Sequence, residues 1–294
     1  MRWKAIFVAS LLSLSSLALA QSAPTGKIFR YADGGSATYY QFQPSQEQSQ
    51  SSDTYIFFYG GTGCVDFKPY IPKFFSGLDS NSTIFALNKR KVEEGSSPNT
   101  CSPEFAKFDL PQQWFSDYME FITEELGRAK IKPKNVVIVG ISEGAYPAVK
   151  VARSRSDITN LVIIGDGGGW TMRKSLEKLT SPSYVQDGWA TIATDSGSTT
   201  RTWLGRPYRW WFDIMDIDSL PDYLSLNIPI LMGHGELDQG VPVESAIALQ
   251  KAFQAAGKSN LTLHIYKGAD HTLTSGQVSN RESLFAELSK SLKH

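Results

Sequence analysis

This sequence has no surplus of charge and, after its first twenty residues, no long apolar run. Lysine plus arginine number 29 and so do aspartate plus glutamate, so there is no basic field to draw a nucleic acid and no acidic tail. No stretch beyond the N-terminal segment is long and apolar enough to span a membrane. Only two cysteines, Cys64 and Cys101, and four histidines are present, which leaves one intramolecular disulfide at most and few choices for an imidazole base. At 294 residues the chain can hold one large α/β domain with an insertion, or two small domains.

What is present begins with a targeting segment. Arg2 and Lys4 supply a positive start, Ala5 to Leu17 is largely apolar, and Ala18-Leu19-Ala20 is an A-x-A cleavage site before Gln21. Residues 1–20 are therefore expected to be removed, leaving residues 21–294 as an exported protein, periplasmic or secreted. Removing Arg2 and Lys4 leaves the charge balance close to even. Export favours a Cys64–Cys101 disulfide, since both lie in loop-like sequence; two buried free thiols are the alternative.

The mature chain alternates between strand and helix patterns. Lys27 to Tyr31 and Ala37 to Phe42 read as strands joined by Asp33-Gly34-Gly35. Gln43 to Asp53 is a polar loop, Tyr55 to Tyr59 a buried strand, and a helix is expected through Tyr70, Phe74 and Phe75. Thr83 to Leu87 is the next strand, and Asn88 to Leu110 reads as a loop. Pro111 opens an amphipathic helix with Trp114, Phe115, Tyr118, Phe121, Ile122 and Leu126 at helical spacing. After the apolar strand Leu161 to Ile164 the pattern changes. Five of the seven tryptophans fall between Gly167 and Asn227, which is expected to be an inserted cap, its aromatics forming either the cap's own core or an apolar lining over a pocket. Alternation resumes with strand Ile228 to Met232, helix Val243 to Ala256, strand Leu261 to Tyr266 and a last helix from about Arg281. This order predicts an α/β fold, a doubly wound, mostly parallel sheet with a cap inserted at about residues 167–227.

The chemistry is expected where the strands end. Val136-Val137-Ile138-Val139 is a β-branched run that ends in Gly140-Ile141-Ser142-Glu143-Gly144 and leads into helix-like sequence. Such a turn places Ser142 in strained backbone, its hydroxyl exposed beside unpaired helix N–H groups. Gly233-His234-Gly235-Glu236-Leu237-Asp238 follows a later strand, and Asp270-His271 follows the strand after that. Asp238 can orient an imidazole, and His271 is the candidate base. His234 reads as support for the acid loop, His264 as a structural residue within its strand, and His294 as terminal. Asp166, at the end of the strand after Ser142, is a rival acid; Glu236 and Asp270 read as solvated or supporting groups.

These three stretches, in the order serine, aspartate, histidine, resemble the α/β-hydrolase superfamily of serine hydrolases from about Tyr55 to the C-terminus, the insertion apart. The resemblance implies a catalytic triad of Ser142, Asp238 and His271. It also implies an oxyanion hole built from the backbone N–H of Glu143 and one from Gly61 or Thr62, in the loop Gly60-Gly61-Thr62-Gly63 after Tyr59. The superfamily's usual histidine is a tyrosine here, Tyr59, which points to a packing role. A disulfide from Cys64 to Cys101 would tether that loop. The implied activity is hydrolysis of a carboxylic ester through an acyl-serine. A peptide or amide is the next substrate class, acyl transfer to another alcohol the third, and a non-catalytic exported binding protein on the same fold the alternative of a different kind. The implied chemistry needs no metal and no organic cofactor. Its partner is a small-molecule or peptide acyl substrate, and no oligomeric state is indicated.

Overall fold

The computed structural model describes residues 24–43, 52–78, 82–97 and 101–293; residues 1–20, expected to be a targeting segment, lie outside them. Strands β1 (Lys27–Arg30) and β2 (Ser36–Phe42) pair antiparallel. The chain continues through β3 (Thr54–Tyr59), the single helical turn α1 (Ile71–Phe74), β4 (Ser82–Leu87), α2 (Pro103–Phe108), α3 (Pro111–Arg128), β5 (Asn135–Ile141), α4 (Ala145–Ser154) and β6 (Asn160–Ile164). Helices α5 (Met172–Leu179) and α6 (Pro182–Ala193) follow, then the hairpin β7 (Thr202–Trp203) and β8 (Arg206–Pro207), then α7 (Tyr208–Ile214) and α8 (Leu220–Ser225). The sheet resumes with β9 (Ile230–Gly235), α9 (Val243–Ala255) and β10 (Leu261–Tyr266). A small hairpin, β11 (Thr274–Ser275) with β12 (Val278–Ser279), precedes α10 (Arg281–Ser291).

Among the described residues the long strands form one eight-stranded sheet in the order β1-β2-β4-β3-β5-β6-β9-β10. It is parallel from β4 to β10, with β1 and β2 antiparallel at one edge. The side-chain period of two sends alternate residues to opposite layers. Phe57, Tyr59, Ile138 and Ile163 pack with Tyr118 and Phe121 of α3 and Val149 of α4. Ile56, Phe58, Val137, Val139 and Val162 pack with Ile71 of α1 and Leu284, Phe285 and Leu288 of α10. Helices on both faces explain why β5 is apolar on every residue from Val136 to Val139 and not alternating.

Three local readings change. Residues 88–110 are not all loop: Ser102 caps α2 by accepting the Phe105 N–H at 3.2 Å, and Pro103 occupies the first turn, where its missing N–H costs nothing. The helix expected through Tyr70 and Phe75 is a four-residue turn. Strand β9 begins at Ile230 and runs on through Gly233, His234 and Gly235, because these residues pair with β10. Gly233 and Gly235 are extended strand residues that leave no room for a side chain: a Cβ on Gly235 would lie 2.1 Å from the Asp270 carbonyl oxygen.

The ends of β3 and β4 are fastened from above by Tyr118, whose hydroxyl donates to the Phe58 and Leu87 carbonyls at 2.6 and 2.8 Å. Tyr59 is buried against the same ring, centroids 3.5 Å apart, so the tyrosine that ends β3 packs. Just beyond it, Cys64 and Cys101 form a disulfide across 37 residues, and Cys64 clusters with Val92 and Phe105. Closing a loop of this size stabilises the fold by roughly 4 kcal/mol in the chain-entropy model. Replacing both cysteines with serine is expected to lower unfolding free energy by about that amount, measured by urea titration. Free-thiol titration of the denatured, unreduced wild type should find none, and two reactive thiols would overturn the bond.

Candidate active site

Strand β5 runs between β3 and β6 and delivers its carboxyl end to the centre of the sheet. There the chain reverses abruptly. Ser142 takes φ +53°, a left-handed conformation that costs a non-glycine residue about 1–3 kcal/mol and is held only by its surroundings. The surroundings require glycine on both sides. A Cβ on Gly140 would lie 2.8 Å from that of Ala148 in α4, and one on Gly144 would lie 2.4 Å from the Gly60 carbonyl oxygen. The elbow is thus pressed against both its own helix and the end of β3. Gly61, in the loop beyond β3, lies close enough that a Cβ there would sit 3.3 Å from the Ser142 Cβ.

The acid and base candidates meet. Asp238 is buried, and its two oxygens divide their work. Oδ1 accepts the N–H groups of Gly240 and Val241 at 2.8 and 2.9 Å, while Oδ2 lies 2.7 Å from His271 Nδ1. With Nδ1–H donating to the carboxylate, the other ring nitrogen carries the lone pair. His234 lies beneath this loop, fully buried, with Nε2 bonded to the Val241 carbonyl at 3.0 Å. Burial raises the Asp238 carboxyl, but the bonds from His271, Val241 and Gly240 outweigh it and hold the group below the ordinary aspartate value. Burial likewise pulls His271 down, and the bond and charge of Asp238 more than compensate, so its imidazole is raised above 6.5.

Asp166 does not bond to the imidazole. Its Oδ2 accepts the Tyr223 hydroxyl at 3.3 Å, and burial pushes it up to about 6 against that bond and the N–H groups of Gly167 and Gly168. Between it and β6, Gly165 at φ +63° makes room for His271, since a Cβ there would lie 3.2 Å from its Cε1.

Ser142, His271 and Asp166 line a cavity of about 310 Å³ whose remaining wall comes largely from residues 170–211. Trp170, Met172, Leu176, Leu204, Trp210 and Trp211 supply apolar surface. Trp210 and Trp211 also pack with Ile192, Tyr208, Ile214 and Met215, so the same rings serve as core and as lining. Among the described residues no group of three or more His, Cys, Asp or Glu is arranged to hold a metal ion.

Sequence reasoning drew on Glu143 only through its backbone N–H. Its side chain is buried in an ionic cluster that had no sequence signal beyond an acidic residue in an apolar elbow. Oε2 accepts the Thr62 hydroxyl and the Arg206 guanidinium, both at 2.7 Å, and Oε1 accepts Trp210 Nε1 at 2.9 Å. Lys89 Nζ lies 3.6 Å from Glu143 and 2.9 Å from Asp109, which Arg206 also reaches at 2.9 Å. Despite burial, the charges of Lys89 and Arg206 hold Glu143 below the usual glutamate value.

A parallel sheet of this order with a serine elbow, an aspartate loop and a histidine loop at its carboxyl edge is the architecture of the α/β hydrolases, and the chain is a serine hydrolase of that fold. Residues 104–289 match the model of the prolyl oligopeptidase family, and the chain belongs to that family. Ferulic-acid-bound Est1E from Butyrivibrio proteoclasticus is similar in structure, with 13% identity, a TM-score of 0.67, and coverage of 90% of this chain and 98% of that one. The acylaminoacyl peptidase of Pyrococcus horikoshii is similar at 15% identity and TM-score 0.56, covering 92% of this chain and 41% of that one. Dipeptidyl peptidase 4 of Porphyromonas gingivalis is similar at 13% identity and TM-score 0.58, covering 92% and 35%. This chain thus spans less than half the length of those two peptidases. No curated protein matches the sequence.

The Asp238–His271 pair makes a pH-dependent contribution with a definite sign. The raised imidazole stabilises the fold fully below 6.5 and loses that contribution as pH rises through its folded value. The depressed carboxyl contributes above 3.8 and is lost as pH falls through its own folded value. Ring-proton NMR should place the His271 midpoint above 6.5, and Asp238→Asn should lower it. A midpoint indifferent to that change would mean the two groups are not coupled.

Proposed function

We propose that the protein hydrolyses a carboxylic ester through an acyl-Ser142 intermediate, with His271 as general base and Asp238 as its orienting acid. The observation that carries this reading is the strained Ser142 lining the same cavity as an imidazole whose Nδ1 is taken by a buried carboxylate. A serine hydroxyl is a weak nucleophile until a base receives its proton. His271, with Nδ1–H fixed by Asp238, presents its other nitrogen for that purpose. Ser142 Oγ adds to the substrate carbonyl carbon as its proton passes to His271. The carbonyl π pair becomes the oxyanion, received by the N–H of Glu143 and one from Gly61 or Thr62. Collapse of the adduct expels the alcohol, which takes the proton from His271; water then enters by the same route, releasing the acid and restoring Ser142.

The apolar, tryptophan-rich wall of residues 170–211, read as an inserted cap, suits an apolar or aromatic acyl group. The similar Est1E structure holds ferulic acid, an aromatic acid, which supports the same direction. Membership of the prolyl oligopeptidase family favours a second reading, a peptidase acting through the same acyl-serine. Export is part of the proposal, supported by the N-terminal segment and the Cys64–Cys101 bond. No helix among the described residues is long and apolar enough to cross a membrane.

A fluorophosphonate probe should label the wild type at Ser142, and Ser142→Ala should lose labelling and about 10⁴-fold or more of kcat while remaining folded. Asp238→Asn should cost about 10⁴-fold, far more than Asp166→Asn. Retained labelling of Ser142→Ala would sink the nucleophile, and a reversed order of the aspartates would move the acid to Asp166. A panel of aryl and alkyl esters beside aminoacyl amides separates esterase from peptidase by the ratio of kcat/KM values.

A further inference from the structure

The oxyanion site of this protein is made from two loops that are far apart in the chain, and one side chain joins them. Glu143 follows the nucleophile and offers its own backbone N–H; Thr62 lies in the glycine-rich loop beyond β3. Thr62 Oγ1 donates to Glu143 Oε2 at 2.7 Å. Gly60, Gly61 and Gly63 carry no side chains, so between the end of β3 and the Cys64–Cys101 bond Thr62 supplies the loop's side-chain hydrogen bond to the elbow. The Glu143 carboxylate is itself immobile: Arg206 and Trp210 bond to it from the wall of residues 203–211, and Lys89 stands behind it. Arg206 lies beside the Leu204–Gly205 turn of the β7–β8 hairpin, where Leu204 lines the cavity.

We propose, on the reading of Ser142 as nucleophile, that the Glu143 side chain is a positioning residue. Its carboxylate holds the Thr62 hydroxyl and so fixes the distance between the two halves of the oxyanion site. Donors stabilise a developing oxyanion only when already aimed at it, because reorganisation during reaction cancels the gain. A carboxylate whose oxygens accept three hydrogen bonds, from Thr62, Arg206 and Trp210, with the Lys89 ammonium 3.6 Å away, cannot turn without breaking charged contacts in a buried site. The chemistry it selects for is therefore a tetrahedral, negatively charged adduct. The ground-state substrate, with a neutral carbonyl, gains little from it, so the effect falls on kcat and on transition-state analogues and leaves KM nearly alone.

The test uses readouts independent of the natural acyl group: the rate of fluorophosphonate labelling at Ser142, and the dissociation constant of phenylboronic acid, which forms a tetrahedral adduct on a nucleophilic serine. Wild-type labelling mapped to Ser142 establishes the underlying reading; absence of it overturns that reading and this inference together. With the wild type labelled, Thr62→Val leaves every ionic contact in place and should slow labelling and weaken phenylboronate by about threefold to tenfold. Thr62→Ser, which keeps the hydroxyl, should stay within about twofold of wild type, a rescue that a packing role of the threonine methyl would not give. Glu143→Gln should lose about tenfold or more in both readouts if it folds; where it does not, the Thr62 pair decides. Thr62→Val within twofold of wild type in both, or Thr62→Ser as impaired as Thr62→Val, overturns the proposal.

Discussion

Ser142 stands in a left-handed backbone conformation because it has no other way to leave β5. The strand is buried on both faces between its neighbours, and α4 must start within three residues to cover one of those faces. A side chain at Gly140 would strike Ala148, and one at Gly144 would strike the carbonyls of Tyr59 and Gly60. The strain is maintained by the packing of the whole sheet, in which Val137, Ile138 and Val139 are entirely buried. The serine hydroxyl is therefore presented to the cavity by the core, and the loop after β10 brings His271 to the same cavity.

The second constraint is electrostatic. The cation Lys89 and two carboxylates, Asp109 and Glu143, are buried together beside Ser142, and the guanidinium of the half-buried Arg206 closes the group. Taking such groups out of water costs several kcal/mol each, and mutual pairing recovers it only when every partner is in place. Lys89 adds a cation–π contact, its ammonium 3.5 Å from the centre of the Trp114 ring. The cluster ties α3, the loop after β4, the elbow and the β7–β8 hairpin to one point, so the wall over the cavity is not an independent lid. Trp210 and Trp211 pack into a core of that wall on one side and line the cavity on the other, which joins the two roles open to them on composition alone.

Much of the fold was legible in the chain. Short β-branched runs such as Val136 to Val139 and Leu161 to Ile164, each closed by a glycine, read as buried parallel strands, and the spacing of Trp114, Tyr118, Phe121 and Ile122 reads as a helix with one buried face. The candidate site was legible for a related reason: Ser142, Asp238 and His271 each follow a strand within a few residues, so local pattern and chain order were enough to nominate them. Misreadings fell where local signals were faint. Helix α2 hides in polar sequence and is announced only by Ser102-Pro103, and β9 was started too early and ended too soon because Gly233 and Gly235 look like turn residues until β10 is seen beside them.

By itself, then, the sequence determined the alternation of strands and helices and the buried elbow, because these depend on periodicities within a few residues; Ser142, His271 and the two rival aspartates were nominated by their places after strands and by the resemblance those stretches carry. Only the tertiary structure decided which aspartate reaches His271. Asp166 and Asp238 both end strands, and the choice rests on Asp238 Oδ2 lying 2.7 Å from the ring while Asp166 turns to Tyr223. It also decided the surroundings of Glu143, whose partners Thr62 and Arg206 are 81 and 63 residues away in the chain. A buried charge is stabilised by whatever packing brings within 3 Å of it, and no local pattern in the sequence records that distance.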